Sequence, residues 1–256
     1  MNRFILGSAL VAGAFIATAA SAHDFFLLPT QFTTAGTGTV HIQATVGSSF
    51  PKPEAAVPAD RAERVAAYGA GKPQVSVGAA TKETLGLQVS GARPGLLAVG
   101  VTSKPRDVDY AEDRIPLILG EYRVAPRAAT AVEALPRPRT WQVVSRRFAK
   151  TFVCVRTCSN RAAAAQSFGV PLEFVSRSGS ASHYILLGDG KPLINYPVDL
   201  VGADGKRAHL STDARGEIHL PASARGTMML FAAKLEPPAG AGRFTLDLTS
   251  LTLSRN

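Results

Sequence analysis

Between residues 183 and 253 glycine-centred turns cut the chain every few residues. Gly188-Asp189-Gly190, Gly202-Ala203-Asp204-Gly205 and Arg215-Gly216 separate short apolar runs at 183–187, 193–201, 207–210, 217–220, 227–233 and 243–253. Asp-Gly and Arg-Gly breaks at such short spacing suit tight reversals, so the pattern predicts an antiparallel sandwich. Upstream, 24–28, 39–46, 74–77, 85–89, 96–102 and the second half of 141–155 also read as strands. At 39–46 strict alternation puts Val40, Ile42, Ala44 and Val46 on one face and His41, Gln43 and Thr45 on the other. Two stretches are less regular. Pro51, Pro53 and Pro58 favour a loop, after which Asp60 with Glu63 three residues on predicts one or two helical turns to residue 67. Across 103–147, Pro126, Pro136 and Pro138 argue against long elements. The fold class expected is all-β.

The first 22 residues read as a cleavable secretion signal. Arg3 precedes an apolar run at 5–17, and Ala20-Ser21-Ala22 is a small-residue cleavage site. That predicts a periplasmic protein whose first mature residue is His23. No later run of 18 apolar residues exists, so no transmembrane segment is expected in the mature chain. The formal charge is +9, or +8 once Arg3 leaves with the signal. The dense basic clusters are 137–139 and 146–150. Phe148 and Phe152 interleave with the second, but export and strand patterning argue against a nucleic-acid partner. On the same strand face Lys150 is expected to snorkel outward.

Histidine at a mature N-terminus offers an α-amine and an imidazole to one metal ion. Pairing of the first two strands would bring in His41. The resulting three-nitrogen set would favour copper or nickel over calcium or magnesium. Cys154 and Cys158 stand four residues apart, about 13 Å in extended chain. A disulfide needs Cα atoms within about 7 Å, so a bond between them requires a turn. An unbonded pair and a metal-thiolate role are the alternatives. Asp107, Asp109, Glu112 and Asp113 lack the glycine-centred loop and terminal glutamate of a calcium hand and read as a solvated loop. There is no G-x-S-x-G elbow, phosphate-binding loop or dinucleotide fingerprint. The expectation is a protein that is not an enzyme.

Several segments in order, HDFFLLP (23–29), GSSFPKPE (47–54), RRFAKTFV (146–153), FGVPLEFV (168–175), GDGKPLINYPVDLV (188–201) and STDARGEIHLP (211–221), carry a resemblance. With them the chain resembles the DUF4198 family, which includes soluble periplasmic components associated with nickel and cobalt uptake. The resemblance implies two sandwich-like β domains, at 23–165 and 166–256, the second similar to the small prealbumin or carboxypeptidase-regulatory sandwich. It implies no catalysis, and it implies metal binding at the histidine exposed by signal cleavage, His23. Two departures stand out. Phe26 replaces a usual tryptophan, and GRFTLDLTSLTLS (242–254) lacks a tryptophan-rich segment. The expected function is that of a periplasmic accessory protein binding one transition-metal ion (nickel, cobalt or copper) for a membrane transporter or outer-membrane receptor. The alternatives are a metal-independent module that binds envelope protein or polysaccharide, and an unrecognised hydrolase.

Overall fold

The computed structural model describes residues 23–36 and 38–255. The signal read at 1–22 lies outside them. The first strands are β1 (Asp24–Pro29), β2 (Thr33–Thr34), β3 (Val40–Gly47), β4 (Ala55–Ala56), β5 (Ala62–Tyr68), β6 (Gly71–Ala80), β7 (Leu85–Ala92), β8 (Gly95–Ser103) and β9 (Arg106–Ala111). Helices α1 (Ile115–Tyr122) and α2 (Pro126–Glu133) follow. The long β10 (Thr140–Val155) leads to β11 (Leu172–Ser176), β12 (His183–Gly188), β13 (Lys191–Pro192), β14 (Pro197–Gly202), β15 (Arg207–Ser211), β16 (Glu217–His219), β17 (Gly226–Glu236) and β18 (Phe244–Arg255).

The architecture is all-β, in three sheets. A nine-stranded sheet runs β15-β14-β17-β18-β10-β8-β5, with β2 and β9 also on β10. A five-stranded sheet runs β1-β3-β7-β6 with β4 on β3, and a four-stranded sheet runs β11-β12-β13 with β16 on β12. The side chains of β10 show how the layers stack. Ala149, Val153 and Val155 join the core formed with Phe25, Leu27 and Ile42 of the five-stranded sheet. Phe148 and Phe152 point the other way, to Phe174, Tyr184 and Leu186 of the four-stranded sheet. A strand covered on both faces has no polar side to show, which is why the second half of β10 is buried nearly throughout.

The structure bears on five expectations. First, β10 pairs with β18 in parallel, Val143 opposite Phe244 through Thr151 opposite Thr252; the chain does not keep to antiparallel pairing. Second, this pairing places strands from both sides of the boundary drawn at 165/166 in one sheet. Third, 62–68 is strand β5, entered through a single 3-10 turn at Ala59–Arg61. Val65 and Ala67 pack on one core and Ala66 and Tyr68 on another, a two-residue period that overrides the capping signal. Fourth, the helices of the proline-bearing region are short, eight residues each, with a proline in the first turn, where the missing N–H costs nothing. Ile115, Ile118 and Tyr122 of α1 and Ala128 and Val132 of α2 bury one stripe against Phe26, Trp141 and Phe231.

Fifth, Lys150 does not snorkel. It is 5% exposed, and its Nζ donates to Glu173 Oε2 at 2.6 Å and to the Phe174 carbonyl at 2.8 Å. The four-stranded sheet covers this face of β10, so the ammonium has no route to water.

Candidate functional site

The β1–β3 pairing expected to join His23 and His41 is present, but its register separates them. Asp24 lies opposite Gly47 and Pro29 opposite Ile42. His23 therefore sits at one end of the pair and His41 at the other, where its carbonyl accepts from the Thr30 N–H at 3.0 Å. Six residues of strand span about 20 Å, so the three-nitrogen set does not assemble. The neighbour of His23 is Glu54, with Nε2 3.5 Å from Oε2. The Ser48 hydroxyl and N–H hold the Glu54 carboxyl below its ordinary range. His41 faces solvent, as the alternation of its strand predicts.

Asp24 starts an ion network that sequence spacing gives no sign of. It is 3% exposed and bonds through Oδ2 to Arg207 Nη2. Arg207 also reaches Asp199 Oδ2 at 3.2 Å, while Asp199 Oδ1 receives Arg123 at 2.8 Å and His209 Nδ1 at 2.9 Å. Burial pushes the Asp24 carboxyl up to about 6 against the pull of Arg207. These carboxylates are engaged by arginines and are poor candidates for a metal. Three of the four acidic residues at 107–113 are likewise occupied. Asp107 and Asp109 lie on β9 and pair with Arg243, and Glu112 pairs with Arg137. Cys154 and Cys158 form a disulfide, Cα atoms 5.0 Å apart, across a turn in which Arg156 takes φ +60°. Bonded sulfurs offer no thiolate to a metal.

The donors that do converge lie on the four-stranded sheet. One ligand atom each from Asp213, Glu217 and His219 lies within 4.8 Å of the other two. The STDARGEIH segment builds this group locally. Asp213 Oδ1 accepts the N–H of Arg215 and of Glu217, both at 2.8 Å, which folds the turn. Gly216 takes φ +77°, and a Cβ there would stand 2.6 Å from Pro192 Cβ, so the turn needs glycine. The strand that follows directs Glu217 and His219 to one side, two residues apart. Pairing of β12 with β16 sets His183 directly opposite His219, with ring centroids 4.2 Å apart. His183 and His219 are far apart in sequence; register, not spacing, brings them together.

A tetrahedral first-row metal holds nitrogen and oxygen at about 2.1 Å, hence donors about 3.4 Å apart. The group is wider than this; His219 is exposed and can turn toward a metal, while Asp213 Oδ1 is held by the two N–H groups it accepts, which leaves Oδ2 to serve as ligand. Glu217 is 6% exposed and is tied through Oε1 to Arg177; its Oε2 lies 3.9 Å from His219 Nε2. Imidazole and carboxylate together suit nickel, cobalt, copper or zinc better than calcium, which prefers an all-oxygen shell. The residues could hold a metal ion, and the Arg177 guanidinium on Glu217 opposes it.

A family profile described as a domain of unknown function, DUF4198, matches residues 20–235. The match stops short of β18, although that strand lies at the centre of the largest sheet. No curated protein matches the chain.

Proposed function

Because this chain belongs to the DUF4198 family, we propose that it is a periplasmic, non-enzymatic accessory protein that holds one transition-metal ion (nickel, cobalt or copper) in support of uptake by a membrane transporter. The observation that carries this reading is the convergence of Asp213, Glu217 and His219, with His183 opposite. Glu217 and Asp213 supply anchored anions, and His183 and His219 supply adjustable donors. Such a half-open site suits an ion that must be handed on. Among the described residues no helix is long and apolar enough to cross a membrane, so a transporter would be a separate partner.

His23 remains a second candidate on one observation, the approach of Glu54 to its imidazole. The test is calorimetric titration with nickel, cobalt and copper of secreted protein whose N-terminus has been sequenced. Stoichiometric binding that His219→Ala weakens more than about tenfold, with His23→Ala unchanged, supports the 213–219 site. Loss in His23→Ala alone moves the metal to the N-terminus. No saturable binding of any of the three metals overturns the reading in favour of a metal-independent interaction module.

A further inference from the structure

A second concavity lies where the end of β10 meets β12 and the last residues of β18. It has a volume of about 340 Å³, within the range of small-molecule sites. Phe32, Leu96, Phe152, Tyr184 and Leu253 form its wall, and Phe152 and Tyr184 lie nearly parallel, 17° apart. No aspartate or glutamate lines it, whereas Arg156 and Arg161 both do.

The two arginines are prepared differently. Arg161 is held in place, donating from Nε to the Gly179 carbonyl at 2.6 Å. Arg156 has its backbone fixed, its N–H donating to Thr34 at 2.9 Å, and it lies inside the loop closed by the Cys154–Cys158 disulfide. Its guanidinium meets no acceptor among the described residues. A fixed stem with an unsatisfied, exposed guanidinium beside an apolar wall lacks only an anion attached to an apolar body.

We infer that this cleft binds a small aromatic carboxylate, its ring on the Leu96–Phe152–Tyr184 wall and its carboxylate on Arg156, with Arg161 completing the positive rim. A guanidinium takes a carboxylate through two parallel N–H···O bonds. An aromatic amine of the same shape would meet two cations and no counter-charge. The inference is independent of the metal reading, since none of the residues 183, 213, 217 or 219 lines the cleft.

The experiment is titration of the secreted protein with 2-naphthoate and with 2-naphthylmethylamine, followed by ligand fluorescence and calorimetry. Two variants accompany the native chain. Arg156→Glu reverses the charge. Arg156→Gly removes the side chain at a left-handed backbone position that glycine adopts freely, so its melting temperature is expected to equal or exceed that of the native protein. The expected result is one saturable naphthoate site, weakened about tenfold or more in both variants, no saturable binding of the amine, and naphthoate binding unchanged in His219→Ala. Absence of saturable naphthoate binding overturns the inference. So does equal affinity in native protein and both folded variants, or equal affinity for amine and carboxylate.

Discussion

Glu173 and Glu217 are both nearly fully buried carboxylates, 2% and 6% exposed, and each faces one cation. Their surroundings make them opposites. Glu173 receives the buried Lys150 ammonium, the N–H groups of Phe168 and Gly169 and the Ser167 hydroxyl. Every direction in which it could bind something is taken. Glu217 meets a half-exposed Arg177 on one oxygen and leaves the other 3.9 Å from an exposed histidine. A saturated buried charge is part of the scaffold; a partly satisfied one at the surface is an opening. Burial alone does not mark a site.

The largest effect expected from this contrast is on stability. Glu173→Ala strands Lys150 in an apolar layer and should cost about 3–5 kcal/mol in urea unfolding. Glu217→Ala frees a guanidinium that already reaches water and should cost about 1 kcal/mol. Equal costs would erase the distinction. Acid should act on Glu173 as well. Burial pushes the Glu173 carboxyl up, but Lys150 and the surrounding donors outweigh it and hold the group below its ordinary 4.5. A depressed carboxylate stabilises the fold at pH above its unfolded value, and that contribution is lost as pH falls through the lower folded value. The acid limb below about pH 4.5 should therefore flatten in Glu173→Gln, measured as unfolding free energy against pH.

Metal affinity gives the next effect, with little change in fold. His183→Ala and His219→Ala should each weaken binding more than about tenfold while shifting apo stability by less than about 0.5 kcal/mol. Arg177→Ala should act in the reverse sense. Removing the cation from Glu217 should tighten metal binding about fivefold, the worth of an exposed ion pair near 1 kcal/mol. Calorimetry on the three variants tests the site through opposite signs. A site elsewhere would leave all three unchanged.

Much of the fold can be read locally and much of the site cannot, for the same reason. Alternation reports which face of a strand is wet, so the exposure of His41 and the strands of the last third follow from neighbouring residues. What lies across a strand depends on pairing between distant segments. Nothing near Val143 announces a parallel partner at Phe244, and nothing near Lys150 announces the sheet that covers it. His183 and His219 stand 36 residues apart and meet only through the register of β12 and β16. The turn beneath the site is the exception. Arg215 and Gly216 are visible in sequence as a turn, and with Asp213 they orient Glu217 and His219. Cys154 and Cys158 lie between these cases: their spacing demands a turn for bonding, and the left-handed Arg156 supplies it.

The smallest effect expected is that of His41→Ala, and it tests the register directly. The strand contacts of His41 run through its carbonyl, which accepts the Thr30 N–H and, at 3.3 Å, the Thr30 hydroxyl. Its imidazole has no partner among the described residues and lies about 20 Å along β1 and β3 from His23. Replacement should alter stability by less than about 0.5 kcal/mol and leave metal titration curves unchanged, whichever of the two candidate sites holds the ion. A loss of affinity in His41→Ala comparable to that in His23→Ala would mean that the two histidines meet. Antiparallel pairing of Asp24 with Gly47 does not allow that, because a shift of register large enough to join them would pull Phe25 and Leu27 away from the core they share with Val40 and Ile42.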